Sequence, residues 1–182
     1  MVVGHWSRRE VGVDWPFDKY PWHEECVVKF FAVLFLSLLP LWAQAIEVGE
    51  PVAPWTLLDQ FDQAYTLDGQ AKILLVARSM DAAKRVDVAL QGQPKGYLEA
   101  RHAVFVADIQ RMPRLVAKLF AVPAMQAYNY RVMLDRDARI APRYSAPVDN
   151  VLWLQLDNGK LVARHEYDSV TQLRQALEQV QP

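Results

Sequence analysis

Ala71-Lys72-Ile73-Leu74-Leu75-Val76-Ala77-Arg78-Ser79-Met80-Asp81-Ala82-Ala83-Lys84 is the stretch on which the fold turns. Ile73 to Ala77 is an unbroken apolar run, which suits a central strand covered on both faces. The period then changes. Ala82, Ala83, Val86 and Leu90 recur at helical spacing, with Lys84, Arg85 and Asp87 on the other side. Ser79 is placed to accept a bond from a first-turn amide, and Asp81 lies near the positive end of the helix dipole. Gly92 and Pro94 end the helix. A buried strand running straight into a helix is therefore expected, with the rest of the chain arranged around that turn.

The first part of the chain does not read as a domain. Residues 1–28 hold Trp6, Trp15 and Trp22 without period or partner strand. They are expected either to lie upstream of the true initiator, with Val27 or Val28 read from a GUG codon, or to be a disordered extension. Lys29 then precedes an apolar run, Phe30 to Trp42, and Ala43-Gln44-Ala45 follows. One positive charge, a short apolar core and a small-residue site make a secretory leader over 29–45, cleaved after Ala45. Its apolar run falls short of the roughly 20 residues that span a bilayer, so no stable membrane insertion is expected once the leader is removed.

The expected mature chain, 46–182, holds 16 of the 20 Lys and Arg and 16 of the 21 Asp and Glu, so it is net neutral. That argues against a nucleic-acid or anionic-membrane surface. Cys26, the single cysteine, precedes the leader. A periplasmic product would thus contain no thiol and would rest on its apolar core alone.

Along that chain, Gly49 to Trp55 is an extended lead-in. Trp55 to Gln60 and Ala64 to Leu67 form an expected hairpin, and Asp68-Gly69 a turn. His102 to Asp108 is a second buried strand, parallel to the first across a right-handed crossover. Met112, Leu115, Val116, Leu119 and Phe120 are spaced as the buried stripe of a second helix that Pro123 stops. Residues 130–140 and 151–162 each read as strand, Asp-led turn, strand, with Asn158-Gly159 a strong hairpin signal. Val170, Leu173, Ala176, Leu177 and Val180 stripe a closing helix capped by Asp168 or Ser169.

Taken together, these residues resemble the redoxin or peroxiredoxin-like branch of the thioredoxin-like superfamily. Gly49, Pro51, Ala53-Pro54, Thr56 to Gln60 and Thr66-Leu67 are similar to its leading hairpin. Lys72 to Ala77 is similar to its first central strand. Asp135 with Tyr144, then Leu152 to Val162, are similar to its later strand, loop and hairpin. The resemblance implies an α/β sandwich with a central mixed sheet flanked by helices. It extends to a small group of periplasmic proteins of this fold that lack redox cysteines.

The departures carry the functional argument. The family's C-x-x-C belongs just after Arg78, where this chain has Ser79, Met80, Asp81, Ala82 and Ala83. The family's proline before the later strand falls at Asn150 or Val151. Thiol exchange needs a thiolate, and a serine in its place needs an adjacent base, usually His. The only histidines after the leader are His102, expected at the opposite end of the sheet, and His165, after the last strand. No His, Cys, Asp or Glu cluster has metal-ligand spacing, and no phosphate loop or dinucleotide fingerprint is present. No metal or cofactor is expected.

The first expectation is an exported, non-catalytic binding or accessory protein. It would offer Ser79, Met80, Asp81 and Lys84, facing Asn150 and Val151, as a groove for a protein partner or small ligand. The alternative is an oxidoreductase or hydrolase using a bound cofactor or a non-thiol nucleophile on the same scaffold. The surroundings of Ser79 discriminate between them: a His or acid in hydrogen-bond reach favours the enzyme, a plain N-cap the binder.

Overall fold

The computed structural model describes residues 46–181. The expected leader at 29–45, the extension before it and Cys26 lie outside the described residues. One seven-stranded sheet organises the rest, in the order β2-β1-β5-β4-β3-β6-β7. The strands are β1 (Thr56–Asp59), β2 (Ala64–Thr66), β3 (Ile73–Ala77), β4 (Ala103–Asp108), β5 (Val132–Asp135), β6 (Val151–Asp157) and β7 (Lys160–Tyr167). β3 pairs in parallel with β4, and β4 with β5. β6 runs antiparallel to β3, and β7 to β6. The sheet is mixed, as expected.

β3 is central and wholly buried. Ile73, Leu75 and Ala77 point into one apolar layer, and Leu74 and Val76 into the other. The first layer lies beneath helices. These are α1 (Met80–Leu90), α2 (Tyr97–Ala100), α3 and α4 (Val170–Gln179). α3 is composite, made of Arg114–Val116, a π turn at Ala117–Ala121 and a last α turn at Val122–Gln126. Both crossovers, β3 to β4 and β4 to β5, step the same way across the sheet. Right-handed connections in one direction put their helices on one face.

The opposite layer is therefore closed by loops. Trp55 and Leu57 meet Ile140, Ala141 and Tyr144 there. The Trp55 indole N–H donates to the Tyr144 hydroxyl at 2.8 Å. Residues 138–140, expected as a strand, are instead a turn leading into a 3-10 helix, Ala141–Tyr144. The reason is Asp135, fully buried at the end of β5. Its carboxylate accepts the amides of Arg139, Ile140 and Ala141 at 2.7 to 2.9 Å. Amides held in this way are not free to join a ladder. The Asn158-Gly159 hairpin forms as expected, with φ of +48° and +74° at its two central residues.

A second buried carboxylate holds the edge of the sheet. Asp59 accepts from the amides of Phe61 and Gln63, and from Arg131 at 2.8 Å through both Nε and a terminal nitrogen. Burial alone raises its pKa. The Gln63 and Phe61 amides and the Arg131 guanidinium outweigh that and hold it below the usual 3.8. Gln60, beside it, is buried and donates to the carbonyls of Tyr130 and Met125, while its own amide oxygen accepts from Val132. Gln126 returns a bond to the Gln60 carbonyl at 2.9 Å. The C-terminal turn of α3 is thus pinned to β1 and β5.

That pin fixes the rotation of α3, and the outcome differs from the expected one. With Met125 buried, about 100° per residue puts Ala121 on the same side and Leu119 and Phe120 on the far side. Ala117, Ala121 and Val122 pack on the core. Leu115, Leu119 and Phe120 are 72%, 60% and 69% exposed. Nor does Pro123 stop the helix. The π turn before it bonds the Val122 amide to the Ala117 carbonyl, five residues back, and this register shift lets a proline without an N–H follow.

Two outcomes test this packing. Met125→Ala should lower unfolding free energy by about 2–3 kcal/mol in urea titration, while Leu119→Ser should stay within about 0.5 kcal/mol. Asp59→Asn leaves Arg131 without its charge partner and should cost about 2 kcal/mol at pH 7. Because the folded carboxyl is depressed, its contribution is whole above the ordinary value near 3.8 and lost as pH falls below it. The two proteins' acid-unfolding curves should therefore converge below pH 4.

Candidate functional site

The carboxyl end of β3 runs through Arg78 and Ser79 into α1. Ser79 has extended backbone, and its hydroxyl accepts the Ala82 amide at 3.1 Å. It is an N-cap. No histidine or acid shares a hydrogen bond with it among the described residues. His102 sits at the other end of β3, its carbonyl accepting the amides of Lys72 and Ile73, roughly 20 Å away at about 3.3 Å per residue. His165 faces Trp153 across β6 and β7 and is exposed.

Arg78, not anticipated from sequence, closes this end of the sheet. Its guanidinium donates to the Ala146 carbonyl at 2.9 Å and lies 3.6 Å from the Asp108 carboxylate at the end of β4. Asp108 also accepts the Gln110 amide. A second arginine, Arg85 on α1, donates to the Asp149 carbonyl. Two guanidinium groups thus bridge β3 and α1 to the 146–149 loop. The only sign in the sequence was charge at the strand ends, which reads equally as a solvated terminus.

The six residues of the expected groove fall in different settings. Met80, Asp81 and Lys84 are exposed on the first turns of α1. Ser79 and Asn150 are half-buried. Val151 is fully buried, in the layer that holds Leu173 and Leu177. The aromatic residues do not form one groove. Tyr130 and Trp153 pack under the helices, whereas Tyr144 lies in the opposite layer. The tyrosines with shifted phenols, Tyr65, Tyr128, Tyr130, Tyr144 and Tyr167, are all pushed upward, with burial the largest cause in each. Near neutral pH none supplies a phenolate. Among the described residues, no group of three His, Cys, Asp or Glu is placed to hold a metal.

A cavity of about 680 Å³ opens one strand over, at the carboxyl ends of β4 and β5. Ile109 and Gln110 follow β4, and Arg136 and Asp137 follow β5; α3 forms the remaining wall. The carboxyl edge of parallel strands is where open α/β sheets bind ligands. No local signal announced it, because the wall comes from the face of α3 expected to be solvated.

This architecture is thioredoxin-like: a mixed sheet with a leading hairpin, a strand-to-helix turn at its carboxyl edge and a closing hairpin and helix. It is similar to a structure named as a thiol:disulfide interchange protein, DsbE, from Chlorobium tepidum, at TM-score 0.51 and 16% identity, covering 74% of this chain and 95% of that one. It is also similar to the peroxidoxin BcpB from Mycobacterium tuberculosis, at TM-score 0.50 and 14% identity, covering 75% and 99%. A third, named as a protein disulfide isomerase from Bacteroides thetaiotaomicron, matches at TM-score 0.50 and 15% identity over 74% and 90%. No protein-family model matches the sequence, and no curated protein matches it either. Likeness at these identities carries the fold and not the activity.

If Ser79 acts only as a cap, Ser79→Ala should lower the melting free energy by about 1 kcal/mol, and Ser79→Asp should restore it. Calorimetric melting of the two variants checks this. A Ser79→Asp protein no more stable than Ser79→Ala would contradict the capping role.

Proposed function

We propose that this is an exported periplasmic protein that binds a partner or small ligand without catalysing a reaction on it. The observation that carries the reading is the state of the strand-to-helix turn. The similar structures include two with thiol–disulfide names, and thiol–disulfide exchange requires a sulfur nucleophile. Here the turn offers a capping hydroxyl with no base bonded to it among the described residues, and the residues from 46 onward contain no cysteine. The partner-facing surface is the exposed start of α1, Met80, Asp81 and Lys84, beside Asn150. Ser79 and Val151 support it from beneath. Export rests on the leader pattern at 29–45, with the mature chain starting at Ile46.

The full chain, expressed in a Gram-negative host and recovered from the periplasmic fraction, should give Ile46 as its first residue on N-terminal sequencing. That product should reduce insulin no faster than dithiothreitol alone and should not consume peroxide. Turnover dependent on dithiol would overturn the non-catalytic reading, and a product confined to the cytoplasm would overturn export.

A further inference from the structure

α3 is inside out. Its bulky apolar residues face solvent, whereas Arg114, Ala117, Lys118 and Val122 form the stripe that lines the cavity. At about 680 Å³ the cavity falls within the about 300–1,000 Å³ of small-molecule sites. Its apolar lining comes from buried Ile109 and half-buried Met112, Ala117 and Val122.

The charges around it are unequal in their freedom. Asp62 pairs with Arg136 at 2.9 Å, and Asp137 lies 3.8 Å from Arg139. Both carboxylates at the cavity therefore have a guanidinium beside them. Arg114 and Lys118, one helical turn apart and exposed at the mouth, have no acidic partner among the described residues. From Ile109 to Leu134 the chain contains no Asp or Glu at all. The wall that carries these cations is also held in place in advance, through Gln126 and Gln60. Preorganised walls lower the ordering cost of binding.

We propose that this cavity is a binding site for a small carboxylic acid with an apolar body. The carboxylate sits between Arg114 and Lys118, and the chain or ring lies against Ile109, Met112 and Val122. The inference goes beyond the surface at the start of α1, and its chemistry stands on the cavity alone.

Isothermal titration of the purified protein with sodium octanoate, sodium benzoate and sodium 4-phenylbutyrate tests it, with octylammonium chloride as the cationic control. At least one carboxylate should bind saturably at one site per chain, and octylammonium should not. Arg114→Ala with Lys118→Ala should weaken that binding at least tenfold. Arg114→Gln with Lys118→Gln gives the same test should the alanine protein melt early. Leu119→Ser with Phe120→Ser, on the outer face, should leave affinity within twofold. Three silent carboxylates, equal binding of octylammonium, or loss of binding only in the outer-face variant would each overturn the site. None of these outcomes bears on the insulin assay, so this inference and the non-catalytic reading fail separately.

Discussion

β3 must be covered on both faces, yet the two crossovers that follow it step in one direction and bring their helices to the same side, where α4 also packs. The far side is left to loops and the short 3-10 helix at Ala141–Tyr144. Buried loops carry backbone groups that need partners, and Asp135 answers part of that need while Tyr144 ties side chains across the layer. Asp135 gathers the amides of residues 139–141, and Tyr144 meets the Trp55 indole across the layer. Asp135 at the end of β5 and Tyr144 in the following 3-10 helix thus act as sealing devices. They need no catalytic explanation.

The same constraint shapes the carboxyl edge. A helix start with free amides can stabilise a thiolate. Here the hydroxyl of Ser79 satisfies the Ala82 amide, and Arg78 and Arg85 draw the 146–149 loop across. Arg78 also neutralises Asp108, whose side chain is almost entirely buried. One of its own nitrogens, Nε, is buried without a hydrogen bond. Burying a guanidinium this way is costly unless it is paired. That pairing makes Arg78 a tie between strand ends rather than a group held ready for a substrate.

Much of the fold was legible because its signals were local. The run Ile73 to Ala77, the Ser79 cap and the Asn158-Gly159 turn each announce themselves within a few residues. The misread segments depended on side-chain partners that periodicity does not display. Residues 138–140 look like a strand until Asp135 takes their amides. The 114–126 helix looks as if it should bury Leu115, Leu119 and Phe120, because larger apolar side chains dominate any reading of periodicity. Ala117, Ala121 and Met125 form a second stripe of smaller residues, and the choice between the two stripes was made by Gln60, more than fifty residues away. Arg78 and Asp108 were invisible for the same reason. Charges at strand ends become a site only when the sheet order sets β3 beside β4.

Rotation of α3 also bears on where a ligand could go. Had the bulky stripe turned inward, Leu115, Leu119 and Phe120 would have filled the space beyond β4 and β5. With alanines inward instead, the helix contacts the core without filling that space, and a cavity remains between it and the loops after the two strands. The cations that usually lie on a solvated face come with it, to the mouth. The outer stripe stays exposed at some cost in apolar hydration, so the inverted arrangement does not optimise the isolated helix. What it does provide is an apolar hollow bearing two cations with no acidic partner among the described residues, on the sheet edge where open α/β sheets bind ligands.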